Sequence, residues 1–312
     1  MASIMTVLGP ISPDQLGFTL PHEHIFCDLT SFPGGITRGG MLSRIDPLLH
    51  FEIMVQEIRD FQAIGGKSIV DLTCRNMGGD VRALQRISKT TGVNIVASCG
   101  WYRESYIEPG FYHGPTEELA EELIHDIEHG LDGTDIRPGI IGEIGTEYNH
   151  PHFSATEERC LRAIAKAHRR TGLAISTHMP MTIGFELLGI LADHDVPPDR
   201  VIVGHCETYM SLEYHVAVAK RGAYLEFDNM VYDGPHYVPE LVAHLAALVR
   251  QGFAHRMLLS QDICWRNRLK HFGGNGLDYV GVHLIPLLKE AGVDDEAIHA
   301  ITVENPARVL AV

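Results

Sequence analysis

Basic side chains are scarce in this chain: 25 lysines and arginines face 40 aspartates and glutamates, a formal net charge of −15 with histidine neutral. That deficit excludes a general binder of nucleic acid or of anionic membranes, whose partners need a positive field, and leaves a small molecule or a protein as the expected partner. Long apolar runs are missing as well. No segment offers about 18 uninterrupted apolar residues, and the opening stretch lacks a basic region followed by an apolar core, so neither a membrane anchor nor export is expected. Cysteine is sparse and scattered, at 27, 74, 99, 160, 206 and 264, with no C-x-x-C pair and none of the crowding of a disulfide scaffold. Reduced thiols in a cytoplasmic protein are the expectation, those near strand ends serving as core filler.

What the chain does have is a regular alternation. Short apolar, β-branched runs at 22–29, 68–74, 94–101, 139–145, 173–178, 201–206, 223–228 and 257–262 read as strands. Helical patterns at 47–64, 80–91, 116–129, 154–171, 183–193, 211–221, 237–251 and 277–291 lie between and after them. Asp46, Asp80, Thr116 and Ser154 stand where helix caps are expected, and Glu157 follows Ser154 as in a capping box. Strands buried on both faces and separated by helices pair in parallel through right-handed crossovers. Eight such units in 312 residues predict a single domain spanning 1–312. Its expected fold is an α/β (β/α)8 TIM barrel, with a short N-terminal hairpin at 6–20 and a C-terminal helical tail at 294–312. The glycine-rich segments at 33–35 and 272–276 read as loops.

Histidine is abundant, at 19 residues. In "LPHEHIFCD", Leu20 to Asp28, His22 and His24 share one face of an extended strand while Glu23 points to the other. Spacing alone does not separate a metal-gripping pair from a core histidine beside a chance neighbour. The other strand ends do. Barrel active sites gather at the carboxyl-terminal ends of the strands. There the sequence places Glu143 in "GEIG", His178 in "STH", His205 in "GHC" and Asp262 in "SQD". Six convergent nitrogen and oxygen donors exceed the need of one tetrahedral zinc with an open position. Two divalent ions account for them more economically: His22, His24 and Asp262 on one, His178 and His205 on the other, Glu143 spanning both. Such a centre favours a hydroxide nucleophile near neutral pH and a polarised substrate oxygen. Mixed imidazole and carboxylate ligands suit zinc first, with manganese, cobalt or iron as alternatives.

At this point the chain resembles the phosphotriesterase-like branch of the amidohydrolase superfamily over nearly its whole length. The resemblance rests on "TVLGPISPDQLGFTLPHEHIFCD", the Asp71-x-Thr73 strand, "THM", "GHCE", "QDICWRNRLKHFGGNGLDYV" and the closing "ENPARVLAV". It implies a barrel with a binuclear metal site on His22, His24, Glu143, His178, His205 and Asp262, and a homodimer. It also implies that Asp262 both binds metal and takes the proton from a metal-bridging hydroxide, and that Tyr102, as in lactonase-type relatives, faces the metal-bound oxygen. Two departures stand out. Many members bridge their metals with a carboxylated lysine, whereas Glu143 places this chain with a glutamate-bridged subset, and Gly79 stands where relatives often have arginine.

Trp101 and Trp265, the only tryptophans, could wall an apolar pocket at the same barrel end, and Arg266, Arg268 and Lys270 could bind an anionic substrate group. For such cations, solvation or pairing with carboxylates is the commoner fate. The expected function is a metal-dependent hydrolase of lactones or carboxyl esters. Amide (N-acyl) hydrolysis comes next, because the glutamate-bridged subset includes an N-acyl amino-sulfonate hydrolase, and phosphotriesterase activity would be a side reaction. A noncatalytic metal-binding barrel and a mononuclear deaminase or isomerase are the rivals from other classes.

Overall fold

The computed structural model describes residues 2–30, 44–107, 114–147, 152–179, 184–229 and 237–312. A hairpin of β1 (Ile4–Thr6) and β2 (Gly9–Ile11) leads to the first barrel strand, β3 (Phe18–Glu23), which is followed by a small antiparallel pair, β4 (Cys27–Asp28) and β5 (Arg44–Ile45). Strand and helix then alternate: α1 (Phe51–Ala63), β6 (Gly66–Asp71), α2 (Val81–Thr91), β7 (Asn94–Cys99), α3 (Thr116–His129), β8 (Ile140–Gly145), α4 (Ala155–Thr171), β9 (Ile175–His178), α5 (Gly184–Ala192), β10 (Val201–Val203), α6 (Leu212–Lys220), β11 (Tyr224–Phe227), α7 (Tyr237–Arg250) and β12 (Met257–Leu259). Beyond β12 the chain passes through short turns into α8 (Ile285–Glu290), α9 (Asp295–His299) and α10 (Asn305–Leu310). One sheet holds eight strands in the order β12-β11-β10-β9-β8-β7-β6-β3, every pairing parallel. This is the expected (β/α)8 barrel with its hairpin and helical tail. No helix among the described residues is long and apolar enough to cross a membrane.

Boundaries differ from expectation where local polar contacts outbid the apolar pattern. The first barrel strand lies at 18–23 rather than 22–29, and the hairpin at 4–11 rather than 6–20. Pro21 brings no N–H to the ladder, and beyond Glu23 the Ile25 N–H is taken at 2.7 Å by the Asp71 carboxylate. Ile25 and Phe26 are apolar because they are buried in a bend, with Phe26 stacked 6.2 Å from Phe51, and Cys27 is buried at the start of β4. Asp80 and Ser154 cap their helices as expected, Ser154 in a reciprocal box with Glu157. Asp46 instead closes the turn before α1, accepting from Leu48 and Leu49, and Pro115 rather than Thr116 occupies the cap of α3. The expected loop at 33–35 lies outside the described residues; that at 272–276 is one. All six cysteines are free and buried.

Period-two alternation sets the barrel's interior. Val70, Leu72, Val96, Ile140, Ala174, Ile202, Tyr224 and Leu258 form one cluster, which Ile4, Leu16, Val309 and Leu310 complete from the hairpin and the tail. Their neighbours Ile69, Ile95, Ala97, Ile141, Ile175, Val201, Val203, Leu225, Met257 and Leu259 belong to the larger cluster that also holds the helices' apolar faces. Continuing the inward parity brings polar side chains toward the carboxyl end: Ser98, Ser176, Glu226 and Ser260, all buried, then His178, Asp228 and Asp262. The floor is therefore apolar and the mouth polar.

Between β12 and β3 the barrel is closed mainly by side chains. Asp262 N–H donates to His22 O at 3.2 Å, and His22 N–H donates to Ser260 Oγ at 3.0 Å. Glu23, fully buried, supplies the rest: its carboxylate accepts from Gln261 N–H (2.8 Å), Ile263 N–H (3.0 Å) and the Ser260 hydroxyl (2.8 Å). Truncating this carboxylate strands two buried backbone donors, roughly 1–3 kcal/mol each. Glu23→Ala should therefore lose on the order of 2–5 kcal/mol in denaturant unfolding of metal-free protein. A loss under about 1 kcal/mol would mean that other acceptors serve the seam.

Candidate metal centre

The mouth-facing ends of β3, β8 and β9, and the turns after β10 and β12, bring His22, His24, Glu143, His178, His205 and Asp262 together. Three of these reach their places only through local departures from strand geometry. Glu143 is three residues past Ile140, which would face it outward, but the register of β8 against β9 slips between Ile141 and Ile144. Such a slip reverses which face a residue presents. Gly142 makes it possible: its φ is +116°, and a Cβ there would stand 2.1 Å from Ser176 O. His205 and Asp262 lie just beyond their strands with φ of +54° and +50°. Left-handed conformations at such residues cost of order 1–3 kcal/mol and cluster at functional sites.

The donor atoms fall into two sets that share Glu143. His178 Nδ1 and His205 Nε2 stand 2.6 and 3.1 Å from Glu143 Oε1 and 2.7 Å from each other. His22 Nε2 is 3.6 Å from Glu143 Oε1, and His24 Nε2 is 3.7 Å from Oε2. Asp262 Oδ1 completes this second set, 3.2 Å from His24 Nε2 and 3.9 Å from His22 Nε2. Ligands about 2.0–2.2 Å from a tetrahedral ion are roughly 3.4 Å apart; the second set, at 3.2–3.9 Å, matches that spacing, and the first, at 2.6–3.1 Å, is tighter and would open around an ion. A buried orphan supports the fit: His22 Nε2 is shut off from solvent, has no hydrogen-bond partner among the described residues and faces Glu143.

Electrostatics point the same way. Burial opposes ionisation of Glu143, yet His178 and His22 hold its carboxyl well below the usual range. Asp228 and Asp262 are likewise held low against burial, chiefly by His205 and His24 respectively. His178 goes the other way, down to about 4, because burial outweighs the pull of Glu143. Three ionised carboxylates in a water-excluded pocket call for positive charge. His22, His24 and His205, raised against burial by Asp228, Asp262 and Glu143, carry it as protons, which divalent cations would replace.

Behind the donors, each of three imidazoles is gripped by its other nitrogen. Asp228 reaches His205 Nδ1 (2.7 Å) and His22 Nδ1 (2.9 Å), Glu226 approaches His22 Nδ1 at 3.1 Å, and the Thr73 hydroxyl lies 3.0 Å from His24 Nδ1. These contacts leave Nε2 of each ring to face the centre, the usual arrangement behind metal-binding histidines. Asp228 and Glu226 were not singled out from the sequence. Their signal was available in "YLEFD", where two acids interrupt an otherwise apolar buried strand.

The remaining candidates scatter. Tyr102 is buried with its ring edge-on to His178, centroids 5.0 Å apart, and its N–H donates to Asn76 Oδ1. Trp101 points elsewhere, into a cavity of about 460 Å³ between α2 and α3 that Leu84, Leu123 and Leu131 also line. Trp265 is half-buried ahead of the turn Arg266–Arg268. Lys270 is engaged by Asp60 and Asp278, and Arg266 lies 5.7 Å over the Phe272 ring. Arg268 alone of the three cations touches the centre's frame, its Nη1 donating to Asp262 O at 3.1 Å.

A match to the Phosphotriesterase family model spans residues 2–310. A phosphotriesterase homology protein of Escherichia coli is 34% identical over 299 residues, covering 96% of this chain and 99% of its own. Its structure, with phosphate in the active site, superposes with a TM-score of 0.89 over 95% of this chain and 99% of that one. An N-acetyltaurine hydrolase of Xenopus tropicalis is 29% identical, covering 98% and 97% of the two chains. The structure of a lactonase from Listeria monocytogenes is 30% identical with a TM-score of 0.88, covering 99% and 98%. By this family match, with its His and Glu donors gathered at the barrel mouth, the chain belongs to the phosphotriesterase family, as a metal-dependent hydrolase.

Proposed function

We propose that this chain is a binuclear-metal hydrolase of carbonyl substrates, lactones or carboxyl esters first and N-acyl amides second. One observation carries the reading: Glu143 is shared between two donor sets, and Asp262, on the mouth side, has 10% of its side chain exposed where the other five show 0–3%. Ions held there, with zinc the first candidate, would supply an acidified water and draw electron density from a substrate carbonyl oxygen. The chain's own residues do the rest. Glu143 keeps the two sets at fixed separation. Asp228, Glu226 and Thr73 hold His22, His205 and His24 in their ring orientations. Asp262, the one donor open to the mouth, takes the proton released on attack. Tyr102, packed on His178, borders the place where the carbonyl oxygen arrives.

The names of two relatives, a lactonase and an N-acetyltaurine hydrolase, support carbonyl over phosphoryl chemistry. Amide hydrolysis is the second reading because the latter relative cleaves an N-acyl bond by name. Buried, unpaired cysteines accord with a cytoplasmic setting.

Metal analysis of the purified, reconstituted protein should find about two ions per chain, and Glu143→Ala should lower both metal content and rate, since it removes the shared ligand. One ion per chain in active enzyme would favour the mononuclear alternative, and a metal-free preparation with full activity would remove the centre from the reaction.

Asp262→Asn is nearly isosteric and its amide oxygen can still face metal, but it cannot accept a proton. In a screen of lactones, esters, N-acyl amino acids and phosphotriesters, its rate on a substrate limited by chemistry should fall at least about 10²-fold, and the acid limb of the pH–rate profile should shift or vanish. Metal content is measured in parallel. An unchanged rate and profile with both metals bound would leave Asp262 as a ligand only.

A further inference from the structure

The cavity between α2 and α3 takes no part in the chemistry described so far. None of the six donor residues lines it, nor does Tyr102; it meets the centre's frame at Thr73, whose hydroxyl holds His24. Its volume, about 460 Å³, is about three times the roughly 150 Å³ that accepts a benzene ring. The inner wall is apolar and buried: Val81 and Leu84 from α2, Leu123 from α3, Cys99 at the end of β7, and Trp101 and Leu131 from the connections that follow. Protein interiors leave few voids larger than a water molecule, whereas a space of this size and lining is typical of a small-molecule pocket.

The outer end of the cavity is acidic. Glu122, Asp126 and Asp132 converge on Arg75, at 3.0, 2.9 and 3.4 Å, and Arg75 is the one lysine or arginine among the described lining residues. Three negative charges therefore face one positive charge. Asp80, the fourth acid of the lining, is engaged as the cap of α2, accepting from Ala83 N–H at 2.9 Å. The side chains of Arg75, Glu122 and Asp132 are 42–52% exposed, but that of Asp126 only 14%. Burial raises the Asp126 carboxyl above its ordinary value, and Glu122 and Asp132 add to the effect against the pull of Arg75. His125 approaches Asp126 only at 3.9 Å, from the exposed side. A further cation at Asp126 would offset a partly dehydrated charge that Arg75 shares among three acids, and the overall charge of −15 favours the approach of cations.

We propose that this cavity is a ligand site separate from the metal centre, and that it takes an amphipathic organic amine, its apolar ring or chain among Leu84, Leu123 and Trp101 and its ammonium group at Asp126. Each alternative class meets a penalty here. An organic anion would face three carboxylates, and an uncharged apolar molecule would leave the acidic end uncompensated. The proposal is independent of which acyl bond the metal centre cleaves.

The test titrates metal-loaded protein by calorimetry with three probes that share a naphthalene ring and differ in charge: 2-(1-naphthyl)ethylamine, the neutral 2-(1-naphthyl)ethanol and the anion of 1-naphthylacetic acid. Wild type should bind the amine about 10-fold or more tighter than the alcohol, and the acid weakest. Asp126→Asn should remove the amine's advantage while changing the alcohol's Kd by less than about 3-fold. Leu84→Trp, which fills the inner part, should abolish binding of amine and alcohol alike; Leu123→Phe is the second filling variant should Leu84→Trp not fold. Thermal unfolding and metal content are measured for each variant, and metal content should match wild type. Absence of amine binding at about 1 mM, or equal affinity for amine and alcohol, would overturn the proposal. Amine binding that survives both Asp126→Asn and the filling variants would place the probe elsewhere and overturn it as well. So would binding lost when the metals are stripped from folded wild type, which would assign the amine to the metal centre.

Discussion

Dehydration of ionised carboxylates at the barrel mouth is the constraint from which the rest of the architecture follows. Glu143, Asp228 and Asp262 are buried, and all three are held in the charged form by four imidazoles from three segments. Removing one partner from such a cluster costs about 3–5 kcal/mol, because the others are left unpaired in a low dielectric. Two of the imidazoles are therefore fastened at both ring nitrogens. His205 is held at Nδ1 by Asp228 and meets Glu143 with Nε2; His24 is held at Nδ1 by Thr73 and meets Asp262 with Nε2. A donor set fixed in this way loses little freedom on taking up cations, which is the preorganisation that metal sites need.

The apolar floor makes this possible. Tyr224, Leu258, Ile202 and their neighbours fill the lower barrel, and the hairpin and tail pack against it from below, so the centre rests on a buried apolar floor. Strand alternation would bring His178 and Asp228 to that level without further device, and Asp262, of the right parity, adds a left-handed turn beyond β12. Glu143 and His205 have the wrong parity, and the fold corrects each locally, by the slipped register at Gly142 and by a left-handed turn at His205. Strain at these positions is concentrated where two metal-ligand candidates had to be turned inward, and the surrounding strands over-determine it.

Much of this was legible in the sequence because it is periodic or terminal. Eight apolar runs separated by helical patterns give the barrel, and histidines and acids at the ends of those runs give the donors. What stayed hidden depends on partners far apart in the chain. In the sequence Glu23 shows only that it points to the face opposite the two histidines, yet its acceptors serve Gln261 and Ile263, some 240 positions away. Asp228 and Glu226 look like ordinary strand acids until β11 is set beside β10, β12 and His22. Strand 1 was misplaced for the same kind of reason: Asp71, on a neighbouring strand, intercepts the Ile25 N–H and ends the ladder where apolar pattern alone would continue it. Lys270 shows the converse, a cation that sequence position left open and that Asp60 and Asp278 close.

The turn after β12 ties Asp262 to Arg268. Asp262 turns its carboxylate toward His24 while its carbonyl accepts from Arg268, and the chain between them is only long enough for one tight loop. The same residue thus meets the centre with one end and the guanidinium with the other. Gly274 and Gly276, packed on the backbone of Arg268, fix the far side of that loop. Glu23 fixes its near side through Gln261 and Ile263, which flank Asp262 in sequence. A displacement of the loop would consequently move the Asp262 carboxylate and the Arg268 guanidinium together, preserving their separation while changing their distance from Glu143. The buried Glu23 seam thus ties the position of this locally pinned segment to the closure of the barrel itself.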